Sequence, residues 1–440
     1  MDKNKILTGK INTVFFSFAI PVVLGLLASS SAGIIDGMFI GNYIGETGLA
    51  AVTLCVPVFP LLMGIEILFS TGGEVFCGKF IGEGNNKKAS DVFTKVTIVI
   101  FVISLLVVLI GLAFLDPIVY LLGASKELHQ MTSDYLRIII MSAPLIATFS
   151  LSYFVRVDGR PNLSATALIV TAILNVLLDY IFIAYLDWGI IGAAWGTVLS
   201  YVAIPILLLP HFLLKRGRLT FVMPTKSFQI LGKIAFNGSS EFLSEVSGGI
   251  LLFVINITMM KYYGMQGVAA YAVVGYLLFF TSMASYGVSD SLKSIVSVNF
   301  GAKKRIRIAA FLRVAIITVV SFGLVLVILT QINSNAFVQL FLKGDVHSTV
   351  SRLANDFILS ISPVLLILGV NIILSAYFTA VHKPKPSLVI SLLRTLVLPI
   401  LFIPVITTFA GGHGITTALI ISEIVTLVIA ILLMLGIRIR

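Results

Sequence analysis

Charge is scarce in this 440-residue chain, where only 11% of residues are Asp, Glu, Lys or Arg. A water-soluble fold of this length needs far more polar surface, so the bilayer must be its main solvent. The mean hydropathy of +1.09 agrees. Cysteine is limited to Cys55 and Cys77. Both are expected on one helix, roughly 33 Å apart at 1.5 Å per residue, which excludes a disulfide between them. No His-Glu-x-x-His, Gly-x-Ser-x-Gly or complete phosphate-binding Gly-x-x-x-x-Gly-Lys-Ser/Thr occurs, and the five His fall in loops or at helix ends. Nothing here supports hydrolytic or nucleotide-driven chemistry, and an enzyme is not expected.

What the chain does have is long apolar runs, at about 14–41, 50–78, 93–115, 133–155, 163–185, 190–213, 234–260, 267–297, 309–330, 355–380, 386–409 and 414–437. Each can cross roughly 30 Å of hydrocarbon. The run after Lys3, Lys5 and Lys10 is too long for a signal peptide and reads as the first span. The formal net charge of +11 does not point to nucleic acid, because the basic residues lie in short clusters between spans. One side carries Lys3, Lys79, Lys87, Arg160, Lys215, Lys303, Arg305, Lys383, Arg438, Arg440 and others, against only Lys126, Lys261, Lys343 and Arg352 on the other. That asymmetry places both termini in the cytoplasm of a multi-pass protein of the cell membrane.

The sequence also repeats. Gly45-Glu-Thr-Gly48-Leu-Ala-Ala returns 219 residues later as Gly264-Met-Gln-Gly267-Val-Ala-Ala. The same shift carries Gly82 onto Gly301 and Pro144 onto Pro363, while Pro161 meets Pro384 at a shift of 223. The expected architecture is all-α: twelve transmembrane helices in two pseudo-symmetric six-helix bundles. The N-lobe spans 1–213, a basic cytoplasmic linker 214–233, and the C-lobe 234–440. Six spans per half leave both halves facing the same way, a common plan for secondary transporters.

The informative residues are acids inside spans, because an ionised group in hydrocarbon is costly unless paired, neutralised or facing a wet cavity. Asp36, Asp179 and Thr197 fall in one layer, roughly 8–10 Å below the outer surface at 1.5 Å per residue. Asn175 shares a helix face with Asp179. Two carboxylates, an amide and a hydroxyl suit a proton or a sodium ion equally well. The repeat sets Ile255 opposite Asp36 and Phe402 opposite Asp179, so only one lobe has this site. In the other half, Glu245 lies near mid-span. Glu241, one turn away, is expected to form a structural ion pair with Lys293. Glu66 is a candidate for lining the passage, and Pro21 is the natural bend in the first helix.

These residues resemble the MATE (multidrug and toxic compound extrusion) transporters, most closely their prokaryotic branches. The resemblance rests on Pro21 followed by Ile-Ile-Asp36-Gly-Met-Phe-Ile-Gly41, on Arg156-Val-Asp-Gly-Arg-Pro161, on Asn175-Val-Leu-Leu-Asp179 with Gly192-Ala-Ala-Trp-Gly-Thr197, and on Phe242-Leu-Ser-Glu245. It covers essentially the whole chain. It implies an antiporter exporting small amphipathic, often cationic compounds against H⁺ or Na⁺, with no cofactor. Asp36, Asn175, Asp179 and Thr197 would form the cation site, including any Na⁺, with Pro21 at the bend and Glu245 as the C-lobe acid. Asp290 and Lys293 depart from the Gln and Pro expected of relatives. The expected partners are substrates and membrane lipids around a monomer. The alternative is a flippase for lipids or lipid-linked saccharides, which should line its cavity with basic residues.

Overall fold

The computed structural model describes residues 5–341 and 348–436; Lys3, Lys343, Arg438 and Arg440 of the charge pattern lie outside them. The described residues are helical, with no strand among them. The principal helices are α1 (Ile11–Phe39), α2 (Glu46–Cys55), α3 (Val58–Gly82), α4 (Asn86–Ala113), α5 (Lys126–Met141), α6 (Ser150–Val157), α7 (Pro161–Asp179), α8 (Gly189–Tyr201) and α9 (Ala203–Leu213). They are followed by α10 (Ile230–Gly301), α11 (Arg305–Phe341), α12 (Thr349–Ile361), α13 (Val364–Ala380), α14 (Pro384–Leu392), α15 (Leu398–Ala410) and α16 (Gly414–Gly436).

Eight helical segments are long and apolar enough to cross a membrane, or ten when each of two bent pairs counts as one span. Two of the eight are too long for one crossing. The 72 residues of α10 would extend about 108 Å as a straight rod. The helix instead turns at Gly264, with φ 62° and ψ −154°. The Pro384–Gly436 segment likewise breaks at Gly411, with φ 60°. The pattern is consistent with the twelve crossings expected. The bent pairs are α5 with 143–157 (44°) and α12 with α13 (53°). Their breaks fall at Ser142, two residues before Pro144, and at Ser362 and Pro363; the repeat relates the two prolines, and each removes a backbone donor. The span expected at 50–78 divides into α2 and α3 at Val56 and Pro57.

The repeat is also visible in the backbone. Gly45 and Gly264 both have positive φ, 88° and 62°. At the same shift Gly84 (φ 76°) meets Lys303 (φ 56°), and at 223 Gly159 (φ 92°) meets His382 (φ 57°). The left-handed conformation survives where the glycine does not.

The chain divides into two compact units. The first comprises Met1–Gly238 with Ser294–Arg305, the second Ser239–Lys293 with Ile306–Arg440. The first unit's core gathers Ile40, Leu62, Tyr135, Leu136, Ile139, Ile183 and Ile190. The second unit's core gathers Met259, Val274, Leu277, Phe357, Ile361, Leu365 and Ile403. Ile255 belongs to that core and Phe402 packs against it. Where one repeat carries acids, the other has apolar packing. Leu105, Leu106, Leu109 and Ile110 of α4 are exposed, as suits a surface facing lipid tails.

Residues 218–227, within the expected linker, are hydrogen-bonded to the first unit's helices. Thr220 N–H donates to Ser90 Oγ, Val222 N–H to Thr94 Oγ1 and Thr225 N–H to Asp91 Oδ1. Buried Lys95 reaches Asp91 at 2.8 Å and the Ser227 carbonyl at 2.7 Å. Asp158 accepts Arg218 N–H at 2.8 Å, and its other oxygen lies 2.8 Å from His211 Nε2.

Candidate functional site

The site begins with two small residues. Gly25 of α1 lies against α7, where an added Cβ would stand 3.2 Å from the Ala165 Cα. Small residues at such a crossing let two membrane helices approach closely along their length. The two helices run on in contact, and further along they carry Asp36 and Asp179. Both then widen into a π-helical turn, Ile40–Ile44 after α1 and Tyr180–Tyr185 directly after Asp179. Such turns re-aim side chains and recur at functional sites.

The two carboxyl groups meet within hydrogen-bonding reach. Asp179 is fully buried, and Asp36 Oδ1 is sealed from solvent. Carboxylate oxygens only accept, so a hydrogen bond between two carboxyls requires a proton on one of them. Without that proton, a cation must stand between them. On α8, an added Cβ at Gly196 would fall 2.5 Å from Asp179 Oδ1. The neighbouring Thr197 is buried on the same helix. Asn175, one turn before Asp179, is buried on the same helix. The candidate ligands named from the sequence are all oxygens, from two carboxylates, an amide and a hydroxyl, the donor type that hard cations favour. Among the described residues no group of three His, Cys, Asp or Glu is arranged to hold a metal.

Sequence reading missed three neighbours of this pair. Gly196 sets the distance of α8, and Tyr135 and Tyr201 stand within electrostatic range of Asp36. Tyr135 lies on α5, too far away in sequence for any local signal to connect it.

The other acids fall elsewhere. Pro21 lies inside α1, whose helix continues through it. Glu66 is buried, accepts a hydrogen bond from Ser70 Oγ, and borders a small pocket walled by Leu62, Ile65, Ile100, Val107 and Ile146. Glu74 is fully buried, accepts from Ser294 Oγ and faces Arg156 at 3.8 Å. In the second unit, Lys293 Nζ lies 3.1 Å from Glu241 and 2.9 Å from Asp290. Glu245, one turn beyond Glu241, is exposed on the unit's surface. Arg394 faces Glu423 at 4.0 Å.

A multi-pass helical membrane protein, repeated in two halves and carrying a buried carboxyl pair in one of them, has the build of a secondary transporter. The chain belongs to the MatE family, whose model matches it twice, over residues 21–181 and 249–405. It is a transporter and not an enzyme, and transporters of this family need no cofactor. It is 27% identical to the "Multidrug export protein MepA" of Staphylococcus saprophyticus subsp. saprophyticus over 430 residues, covering 96% of this chain and 93% of that protein. Two solved structures share the fold at 21% identity, each covering 98% of this chain and 97% of the other. One is described as the outward-facing conformation of a multidrug resistance MATE family transporter, with a TM-score of 0.90; the other is MATE in the straight conformation, with a TM-score of 0.92.

Proposed function

We propose that the protein is an antiporter of the bacterial cell membrane, with both termini cytoplasmic. It exports small amphipathic, mainly cationic compounds against inward flow of a cation bound at Asp36 and Asp179. The observation that carries this reading is the carboxyl pair itself. It is buried, it occurs in one repeat only, and it needs a proton or cation to exist as it stands. Direct carboxyl–carboxyl contact favours H⁺ over Na⁺, because a bound sodium ion would separate the two groups. Asn175 and Thr197 then complete the polar wall, and Pro21 gives α1 a place to bend when the pair changes charge. Glu245, exposed at a depth where lipid disfavours a carboxylate, faces the aqueous passage and attracts cationic substrates.

The test is efflux of a fluorescent cationic dye from proteoliposomes, with pH and Na⁺ gradients imposed separately and Asp36→Asn alongside. Efflux driven by the pH gradient alone and abolished in the variant supports the reading. Efflux driven only by Na⁺ assigns sodium as the coupling ion. If neither gradient moves dye, the lipid or lipid-linked saccharide flippase reading takes its place.

A further inference from the structure

Within the first unit, the end of α10 packs on the end of α3 around an approximate two-fold axis. An added Cβ at Gly82 would overlap the Val298 carbonyl oxygen, and one at Gly301 would overlap the Lys79 carbonyl oxygen. The 219-residue shift carries Lys79 onto Val298 and Gly82 onto Gly301, so each helix offers the other the same two positions. One turn earlier, an added Cβ at Gly78 would overlap Ser297 Oγ, and these two are also repeat counterparts. The helices therefore meet backbone to backbone, and Ser297 is fully buried.

A third element is fastened to this crossing. Residues Lys5–Thr8 form a short helix ahead of α1. Four residues are too few to hold a helix unaided, and the carbonyls near its end need partners from outside it. Both partners come from the end of α10. Lys304 Nζ donates to the Leu7 carbonyl at 2.9 Å, and Asn299 Nδ2 reaches the Ile6 carbonyl at 3.4 Å. Ile6 and Asn299 are buried, and Lys304 N–H donates to the Asn299 carbonyl at 2.9 Å, which fixes the two donors relative to each other.

The lead-in to the second repeat is held in a matching way. The 219-residue shift carries residues 5–8 onto 224–227, where Thr225 N–H donates to Asp91 and the Ser227 carbonyl accepts from Lys95. Each lead-in is thus bonded to a helix of the opposite repeat. A segment that only anchored its own span would bond to its neighbours in sequence. A segment that crosses to the other repeat holds two helices in one arrangement, and it resists any motion that parts them.

We propose that residues 5–8, with Asn299 and Lys304, form a clasp on the α3–α10 crossing that must let go in each transport cycle. The clasp rests on the antiporter reading above, because only a carrier that opens to both sides in turn needs this crossing to part.

The test starts from the full chain with Cys55→Ala and Cys77→Ala, in proteoliposomes. Ser297→Cys then places one thiol inside the crossing, and its rate of maleimide labelling follows how often the crossing opens. Lys304→Met should raise that rate about fivefold or more, the population shift expected from losing one hydrogen bond. Lys304→Arg keeps a donor and should stay near the slow rate. Removing residues 1–8 loosens the clasp without touching α10, and decides the matter if Lys304→Met does not fold. A labelling rate that neither change raises overturns the clasp. Turnover is read separately, with Leu7→Cys and Lys304→Cys joined by a short bifunctional thiosulfonate. The joined protein should lose nearly all gradient-driven dye efflux and regain it on reduction, while each single thiol treated alike keeps it. Efflux undiminished in the joined protein overturns the requirement that the clasp let go. Labelling needs no ion gradient, so failure of coupled export and failure of the clasp are separate results.

Discussion

Asp36 and Asp179 face each other carboxyl to carboxyl inside the first unit, on helices drawn together where Gly25 meets Ala165. Under the proposed coupling the pair carries a proton or cation, and that requirement can be removed by one amide. In Asp179→Asn the side-chain N–H donates to Asp36 and supplies the hydrogen bond permanently. Gradient-driven efflux should fall to background, while stability changes by about 1 kcal/mol or less, the scale of one exchanged hydrogen bond. Proteoliposome efflux and thermal unfolding measured on one preparation check both halves. Efflux that persists at half the wild-type rate would remove the pair from the coupling step.

Gly196 holds α8 against the same carboxylate. Alanine improves helix propensity by about 1 kcal/mol at this position. Its methyl group, however, would sit 2.5 Å from Asp179 Oδ1, and overpacking of this kind costs about 1–3 kcal/mol. The clash wins. Gly196→Ala should therefore weaken cation coupling, seen as a lower efflux rate at a fixed gradient, with little loss of helical circular dichroism. An unchanged rate would show that α8 can retreat without disturbing Asp179.

Much of this was legible in the sequence, and the reasons are local. Hydrophobic runs mark crossings because lipid demands them, and a buried acid stands out against such a background. The repeat, at shifts of 219 and 223 residues, exposed Ile255 and Phe402 as apolar counterparts of the acids, and the structure places both in or against the second unit's core. What escaped was contact between distant segments. Nothing near Tyr135 announces that it approaches Asp36. The basic, polar linker at 214–233 shows in its sequence no partner for Thr220, Val222 and Thr225. Their backbone donors are in fact taken by Ser90, Asp91 and Thr94, one face of the first turns of α4. The division of α2 from α3 at Pro57 was within reach, since proline marks such breaks.

The tethered segment gives a prediction of its own. Asp91 accepts from Thr225 N–H at 2.7 Å and pairs with Lys95, whose side chain is almost wholly buried. Asp91→Ala removes both anchors and leaves Lys95 short of a counter-charge. Tryptic cleavage at Lys215, Arg216, Arg218 or Lys226 should quicken severalfold in the folded protein, followed as fragment appearance over time. Equal cleavage rates would mean the remaining bonds to Ser90 and Thr94 suffice.

Lys303 takes a left-handed backbone where its repeat counterpart is Gly84. That conformation costs a non-glycine residue about 1–2 kcal/mol. Lys303→Gly relieves the strain and gives back about 0.5–1 kcal/mol through the freer unfolded chain. The balance favours the variant, which should unfold at a slightly higher temperature. The reverse change, Gly84→Lys, should lower it. A destabilised Lys303→Gly would show that the lysine side chain contributes more than its backbone costs.

Glu74 and Arg156 are deeply buried opposite charges in the first unit, 3.8 Å apart with side chains 0% and 1% exposed. Their burial runs against the simple expectation that an acid near a helix end sits at the membrane surface. Glu74 also accepts from Ser294, in the returning end of α10, and Arg156 lies over the Tyr153 ring at 4.3 Å. Removing one partner strands the other charge, at about 3–5 kcal/mol, whereas replacing both by apolar or neutral groups of similar size is far cheaper. Glu74→Gln and Arg156→Met should each lower the unfolding temperature sharply, and the double variant should recover much of the loss. Arg156→Met also forfeits the ring contact, worth about 0.5–2 kcal/mol, so recovery should stop short of the wild type. Strict additivity in this cycle would instead assign the two charges to separate partners, with Ser294 carrying the burial of Glu74.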